Sequence, residues 1–332
     1  MKSYAGHPKA YGGDFIQARI LSPKLNASAS GDVTDFLNGS YRVRFRLFWP
    51  GEVQVSVRLI HSSETVKLLQ RNWTQEYHKT EHTGTFISGE KNETSLCAFR
   101  LSSDRPLCEY RKKEDGEYYA CYRPKTLPCD TLALTSVLFP PEYPQLTNEE
   151  AQLLDQWSSS FCQTGPFLSE DAVTRCLKGK TLYLLGDSTA RQWMEYLEQK
   201  LKALDSIAAV GGGQEDVIVV IGTGQHFRPS PPEVFIRRLL NIRRAILRLQ
   251  ARCPQAQVFI KLENNRNHYR LMRFSNWYGY MQNLAQRKVF EDMKVAVVDP
   301  WDMTVATYSL KVHPDDFIIS NQIAVALSFF CH

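Results

Sequence analysis

The sequence predicts a multidomain chain, in which an N-terminal immunoglobulin-like β-sandwich precedes an α/β domain with three layers around a parallel sheet. Before residue 62, apolar and polar residues alternate with a period of two, which is typical of half-buried antiparallel strands. After residue 178, short apolar runs alternate with segments of helical periodicity, which is typical of parallel strands covered by helices. We therefore expect a first domain over residues 1–135, a linker over 136–177 and a second domain over 178–332.

Short antiparallel strands should build the first domain. Residues 41–47 alternate apolar side chains with arginines, and the alternation resumes over residues 53–59 after Pro50-Gly51, which predicts a β-hairpin with one dry and one wet face. Further strands are predicted over residues 14–21 and 33–37. Several short strands with turn residues between them favour an immunoglobulin-like sandwich.

Strands and helices should alternate in the second domain. The helix over residues 230–250 should begin with a capping box of Ser230 and Glu233 and bury one stripe of apolar side chains, with its arginines on a solvated face. The predicted strands are 182–185, 216–221, 257–262 and 295–298, and the other predicted helices follow the first strand through Leu201 and cover 276–290 and 315–330.

Composition gives no sign of a membrane-spanning or a nucleic-acid-binding protein. A hydrophobic fraction of 43% and a charged fraction of 23% are those of an ordinary globular protein, and no apolar run is long enough to predict a transmembrane segment. The net charge of +5 is mild and spread along the chain, so it gives no reason to expect nucleic acid as a partner.

The cysteines and glycosylation sequons indicate an oxidising compartment. The eight cysteines include no C-x-x-C pair, which favours disulfides over a zinc site, and no metal is expected. The N-terminal residues 1–13 lack the apolar stretch of a signal peptide, which indicates a trimmed or alternative start. The cysteines and the sequons together predict an oxidising lumen of the secretory pathway or the extracellular space. The four sequons begin at Asn26, Asn38, Asn72 and Asn92.

A candidate nucleophile lies at the end of the first parallel strand. Ser188 follows Gly186-Asp187 directly and precedes a helix, and functional groups gather at this edge of parallel sheets. A serine nucleophile needs a base, and His313 lies in a loop before the last helix, with His226 as the competitor. The alternative is a purely structural role, in which Ser188 caps the N-terminus of the helix.

An ordered set of sequence blocks carries a resemblance to a known family. GDSTARQWMEY, GQHFRP, VVDPWDMTVA and VHPDD are similar to the PC-esterase domain of the NXPE family, a branch of the SGNH (GDSL-like) hydrolase fold. The N-terminal GGDFIQARI and the segment from GDVTDFLNGSYRVRFRLFWP to VRLIHSSE resemble that family's neurexophilin-like, filamin-type domain.

The resemblance implies acyl-ester chemistry on glycans in the secretory pathway, with sialic acid on glycoproteins as a plausible acceptor. Ser188 would form an acyl-enzyme with an acetyl donor such as acetyl-CoA, which is a substrate and not a bound cofactor, and His313 would move the proton. The Ser188 amide and a glycine amide from 211–213, with Gly212 at its centre, or from Gly224 would hold the oxyanion. Gln225 or His226 would take the place of the usual SGNH asparagine.

Two departures from the resembled pattern concern the site. The triad acid generally precedes the histidine by three residues, and here that position is Leu310, so Asp302 is the first choice, Asp299 the next and Asp315 a further alternative. The connection over residues 203–215 is short for the family. An alternative function therefore stands beside the enzyme: a non-catalytic, secreted binding glycoprotein that contacts cell-surface partners through its N-terminal domain and carries a degenerate SGNH domain.

Overall fold

A computed structural model gives the architecture of the chain. Its N-terminal part is built from β-strands with one α-helix among the described residues, α1 (Ser63–Thr74). The strands are β1 (Phe15–Ser22), β2 (Ala27–Ser30), β3 (Asp32–Asp35), β4 (Tyr41–Arg44), β5 (Gln54–His61), β6 (Glu81–Ser88), β7 (Lys91–Ala98), β8 (Leu107–Lys112), β9 (Glu117–Tyr122) and β10 (Leu132–Val137). The structure describes residues 1, 7–75, 81–102, 104–112, 117–137, 176–177, 180–200, 217–266 and 274–329.

Antiparallel pairing organises these strands into separate sheets. Strand β1 lies between β2 and β5 in a three-stranded sheet, and β3 pairs with β4 in a two-stranded ladder. A five-stranded sheet has the order β10-β6-β7-β9-β8. The all-β character of this part, α1 excepted, is as predicted, and the immunoglobulin-like sandwich stays a prediction.

The predicted hairpin over residues 41–59 is wrong. Its first strand pairs with β3, whereas β5 pairs with β1, so that Arg58 lies opposite Gln17. The face predicted to be dry is solvent-exposed in β5, because Val55 is 61% exposed and Val57 is 52% exposed. The polar face of β5 is the one covered by another part of the molecule, as described below. Local alternation identified the strand but not its partner or its buried side.

Two disulfides tie the five-stranded sheet together. Cys97 and Cys121 lie opposite each other in β7 and β9 and are bonded, and Cys108 in β8 is bonded to Cys129. Cys97, Cys108 and Cys121 are buried with Phe86 in one core cluster, and the partly buried Cys129 packs against it. Each bond closes a loop of just over 20 residues, which in the chain-entropy account stabilises the fold by about 3 kcal/mol. Cys176 is disulfide-bonded as well.

The second part of the chain is the predicted α/β domain. The four strands found among its described residues are all parallel and lie in chain order across the sheet. The helix predicted over residues 276–290 has those bounds in the structure. The elements are β11 (Thr181–Gly186), α2 (Ser188–Lys200), β12 (Val217–Gly222), α3 (Pro232–Arg252), β13 (Gln257–Lys261), α4 (Asn276–Phe290), β14 (Ala296–Val298), α5 (Pro300–Ala306) and α6 (Asp316–Ser328).

Helices cover both faces of the parallel sheet. Trp193 of α2 and Ile319 of α6 pack on one face, whereas Phe235 of α3 and Phe290 of α4 pack on the other. The predicted apolar stripe of α3 is confirmed. The predicted capping box is wrong, because Pro231 occupies the N-cap position and no side chain caps the helix.

The two parts of the molecule share a hydrophobic cluster. Trp73 and Leu69 of α1 pack against Trp277 and Tyr278 of α4. The indole nitrogen of Trp73 donates a hydrogen bond to the carbonyl of Ser230 at 2.8 Å, and the Tyr278 hydroxyl donates to the carbonyl of Leu69 at 2.9 Å. No helix in the described ranges has the length and apolar character to cross a membrane.

Candidate functional site

The carboxyl ends of β11 and β12 approach each other very closely. Gly186 and Gly222 are register partners, and a Cβ atom on Gly186 would lie 2.0 Å from the carbonyl oxygen of Gly222. The amide of Asp187 donates to that same carbonyl at 3.1 Å. Only glycine fits at residue 186, and the residue that follows is thereby fixed at the edge of the sheet where parallel α/β domains carry their sites.

Asp187 joins the beginning of α2 to the loop after β12. Its Oδ1 accepts hydrogen bonds from the amide and the hydroxyl of Thr189, at 2.9 and 2.8 Å, and its Oδ2 accepts one from the amide of Gln225 at 3.2 Å. Ser188, half-buried, is the first residue of α2. Because Asp187 supplies the capping oxygens, the serine hydroxyl is not needed as a cap.

The loop after β12 carries the predicted Gly224, Gln225 and His226. Gly224 packs so tightly that a Cβ atom there would lie 2.5 Å from Oε1 of Glu263, and His226 is exposed. Gln225 is 3% exposed, and neither polar atom of its side chain has a hydrogen-bond partner among the described residues. A buried amide without a partner is costly in a protein interior, which makes Gln225 a candidate for binding a polar ligand group or a water molecule.

Charged side chains are buried directly beneath this edge of the sheet. Lys261 of β13 is 1% exposed, and its Nζ donates to the Thr189 hydroxyl at 3.0 Å. Glu263 is 2% exposed, and its Oε2 lies 3.6 Å from Nη2 of the fully buried Arg228. Burial raises the pKa of Glu263 to about 7, and the nearby Asp187 acts in the same direction. Burial also lowers the pKa of Lys261.

Arg228 holds the loop after β12 against both ends of the connection between β13 and α4. Its guanidinium donates to the carbonyls of Phe274 and Asn264 at 3.0 and 3.1 Å. A Cβ atom on Gly279 of α4 would lie 2.3 Å from Nη2 of Arg228, so the glycine makes room for the buried cation. Because main-chain carbonyls surround it, Arg228 acts as a rigid support for Gly224 and Gln225.

His313 lies exposed in the loop between α5 and α6, and this loop is attached to the helix of Ser188. The side-chain amide of Gln192 donates a hydrogen bond of 2.6 Å to the carbonyl of Pro314, the residue after His313. Gln192 follows Ser188 by four residues, so the two lie on one face of α2. The structure thus brings the His313 loop to the face of the helix that begins with Ser188.

The three carboxylates considered as triad acids have other partners. Asp299 caps α5 by accepting from the amide of Trp301 at 2.9 Å and pairs with Arg287, and Asp315 pairs with Lys311. Asp302 lies in the first turn of α5, near the hydroxyl of Ser30 in β2. Partial desolvation and then the charge of Asp299 raise the pKa of Asp302.

Asn264, Asn265 and Asn267 follow β13, and residues of this type predict a turn, with sugar binding as the alternative. Asn267 lies outside the described residues. In the structure Asn264 and Asn265 are buried, and Asn264 accepts from Gln322 at 3.1 Å. Gly212, with the rest of residues 211–213, lies outside the described residues, as does most of the predicted linker.

Sequence reasoning did not identify Thr189, Gln192, Arg228, Lys261 or Glu263 as parts of this region. One signal was available: the run VFIKLENN places Lys261 at the end of a strand whose preceding residues, Val258–Ile260, are apolar on both faces, and Glu263 two residues after it. Charges on a strand buried on both sides rarely occur without a partner or a role.

The candidate glycosylation sites differ in their exposure. Asn26, Asn38 and Asn92 are exposed, whereas Asn72 in α1 is 8% exposed. Asn26 has a left-handed backbone with a φ of 48°.

Comparison with protein-family models gives matches over both parts of the chain. The C-terminal domain of NXPE family member 4-like proteins matches residues 157–211 and 205–331, which together span more than half of the sequence. The neurexophilin family model matches residues 1–145. The two segments of the first match meet inside the short connection noted in the sequence.

Proposed function

The chain belongs to the NXPE family, and from this premise we propose that it is an enzyme that moves acetyl groups onto or off glycans through an acylated Ser188. Disulfides within the neurexophilin-like part are typical of secreted and secretory-pathway proteins, and the chain is one of these. The Golgi is the proposed compartment, and sialic acid on glycoproteins is the proposed acceptor, by the resemblance to the family.

The first half of the proposed reaction acylates the serine. Oγ of Ser188 attacks the carbonyl carbon of the acetyl donor, for which acetyl-CoA is suitable, while His313 takes the hydroxyl proton. The amides of Ser188 and Gly224 donate hydrogen bonds to the developing oxyanion, helped by the N-terminal end of α2. The bond to the leaving group breaks, and His313 returns the proton to it.

The second half transfers the acetyl group. A sugar hydroxyl attacks the acyl carbon and loses its proton to His313, which then protonates Oγ of Ser188 as the ester bond to the enzyme breaks. Water in place of the sugar gives hydrolysis, so esterase and transferase activities differ only in this last nucleophile. Gln225, buried without a partner, is suited to bind a polar group of the donor or the acceptor.

One observation carries this proposal: the hydrogen bond from Gln192 to the carbonyl of Pro314. It supports a common site because one helix begins with the nucleophile and, one turn later, holds the loop of the base. The tight fit of Gly186 against Gly222 supports the same reading, since it leaves Ser188 at the open edge of the sheet.

A fluorophosphonate probe tests the proposal directly. We expect the folded protein, with its disulfides intact, to be labelled at Ser188 and the Ser188→Ala variant to be unlabelled. His313→Ala should slow labelling by about a hundredfold or more, because it removes the base. The exposed Ser328→Ala serves as the matched control and should label as the wild type does. A correctly folded wild-type protein that is not labelled would overturn the proposal.

The alternative function is that of a secreted binding glycoprotein without catalysis. Leu310 at the usual position of the triad acid favours it, and so does the exposure of Val55 and Val57 on β5, since exposed apolar side chains that neighbour one another on a strand favour a protein-binding surface. If labelling is absent, binding of the whole chain to cells tests this function. The double variant Val55→Lys, Val57→Lys should lower the binding, and Ser188→Ala should leave it unaffected.

A further inference from the structure

We propose that the N-terminal part positions the His313 loop, with Arg58 and Tyr308 as the main contact, so that the two parts of the chain form one functional unit. This inference rests on the proposed function of His313. Arg58 and Tyr308 are positioning residues, because neither is placed to touch a substrate in the proposed reaction.

One face of the three-stranded sheet points at the α/β part. Arg58 of β5 lies opposite Gln17 of β1, and Arg19 follows two residues later on the same face. Two of these side chains form hydrogen bonds to the α/β part. The guanidinium of Arg19 donates to the carbonyl of Ala306 at 3.1 Å, and the amide of Gln17 donates to Oδ1 of Asn265 at 2.8 Å. Helix α5 packs against β1 and β2 alongside them.

Tyr308 lies between these arginines in a conformation that its residue type disfavours. Its φ is 58°, and it is 8% exposed. The guanidinium carbon of Arg58 is 3.5 Å from the centre of the tyrosine ring, and that of Arg19 is 5.0 Å away. A bulky side chain in the left-handed region persists only where its surroundings hold it there. Here the surroundings are supplied by the other part of the chain, through two cation–π contacts.

The constraint extends from Tyr308 toward His313. Asn265, which accepts from Gln17, donates its own amide to the carbonyl of Ser309 at 3.3 Å. The far end of the loop is held at Pro314 by Gln192. The loop is therefore held at its start by the N-terminal part and at its end by the helix of Ser188. Since a shift of about 1 Å in a reacting group can cost up to about a hundredfold in rate, losing the first anchor should affect His313.

Arg58→Ala in the full-length chain is the primary test. We expect the rate of fluorophosphonate labelling at Ser188 to fall at least about tenfold. Arg42→Ala is the matched control, because Arg42 makes a similar cation–π contact with Phe36 in the same part of the chain, away from the His313 loop. Tyr308→Phe keeps the ring and should label at nearly the wild-type rate. If the wild-type protein is labelled, equal rates for Arg58→Ala and Arg42→Ala would overturn the inference.

A double-mutant cycle separates positioning from general damage. If Arg58 acts through His313, adding Arg58→Ala to His313→Ala should not slow the residual labelling further. A loss of the same size in both backgrounds would mean that Arg58 only supports the fold, and would overturn the inference.

Hydrogen–deuterium exchange tests the positioning without any chemistry. Arg58→Ala should speed exchange in peptides covering residues 309–315, whereas Arg42→Ala should not. Unchanged exchange would overturn the inference even if the enzyme is active. If the wild-type protein is never labelled but Arg58→Ala still speeds exchange in these peptides, the proposed function is overturned and the positioning is supported.

Discussion

The ammonium group of Lys261 donates a hydrogen bond of 3.0 Å to the hydroxyl of Thr189, the residue that follows the candidate nucleophile. Lys261 is almost fully buried and lies near the carboxylates of Asp187 and Glu263. A buried cation in such a place balances negative charge that water cannot reach. The beginning of α2 therefore depends on a charge from the third strand of the sheet.

Replacing this lysine should destabilise the protein strongly. Lys261→Met keeps a side chain of similar length but removes a buried cation that acts together with Arg228 on Glu263, and we expect the free energy of unfolding to fall by about 3–5 kcal/mol. Urea unfolding measures the change. Lys288→Met is the control, because Lys288 makes an exposed ion pair with Glu291, and its loss should cost under about 1 kcal/mol. Similar losses for the two variants would show that Lys261 does not balance buried charge.

Removing the bond from Gln192 to Pro314 should impair labelling more than stability. Gln192→Ala frees the far end of the His313 loop, and we expect the labelling rate at Ser188 to fall by about ten- to a hundredfold. The unfolding free energy should fall by only about 1 kcal/mol, the usual net worth of one hydrogen bond. Glu195→Ala, on the same helix in an exposed ion pair with Arg191, should leave both quantities nearly unchanged. An unaltered rate in Gln192→Ala would contradict the role given to this bond.

The contact between His61 and Ser275 should make the folded protein sensitive to acid. His61 of β5 lies 2.8 Å from the Ser275 hydroxyl, which accepts from the amide of Trp277 in α4. Burial lowers the pKa of His61 to about 4 from an ordinary 6.5. The folded protein thus resists protonation of the His61 imidazole. The stability that neutral His61 contributes is complete above pH 6.5 and is lost as pH falls toward 4.

A variant isolates this effect. His61→Gln should lose less stability than the wild type between pH 7 and pH 4.5, by on the order of 2–3 kcal/mol. Urea unfolding at the two pH values gives the difference. His7→Gln, which changes an exposed histidine, should behave as the wild type does. If all three proteins lose stability equally, His61 is not the source of the acid sensitivity.

Glycan occupancy should follow the exposure of the acceptor asparagines. Asn26, Asn38 and Asn92 are open to solvent, whereas Asn72 packs within α1, and a glycan there would have to break that packing. We expect enzymatic deglycosylation in ¹⁸O water, followed by mass spectrometry, to mark the first three sites in the secreted protein. Asn38→Gln should lower the apparent mass on a gel, and Asn72→Gln should not. Occupied Asn72 would contradict the packing of α1.

The α/β part could be predicted from the sequence because its signals are local. A run such as DVIVVI, or the four-and-three spacing from Phe235 to Leu249, reports burial on both faces of a strand or on one face of a helix. The position of Ser188 followed from the same rule, since a residue after a parallel strand lies at the edge of the sheet.

The N-terminal sheets and the buried charges could not be predicted in this way. The pairing of β1 with β5 joins Phe15 to His61, and nothing in either segment favours that partner over β4. The exposed valines of β5 show that alternation gives two faces but does not say which one is covered. Lys261 and Glu263 are buried by elements far away in the chain, and residue type alone predicts a solvent position for both.

The aromatic cluster of Trp73, Trp277 and Tyr278 makes each half of the chain dependent on the other for its solubility. Either half produced by itself would present large ring surfaces to water, and self-association would be the expected result. A truncated transcript that kept one half should therefore yield an insoluble product, and deletion studies of this chain are best replaced by point changes in the whole molecule.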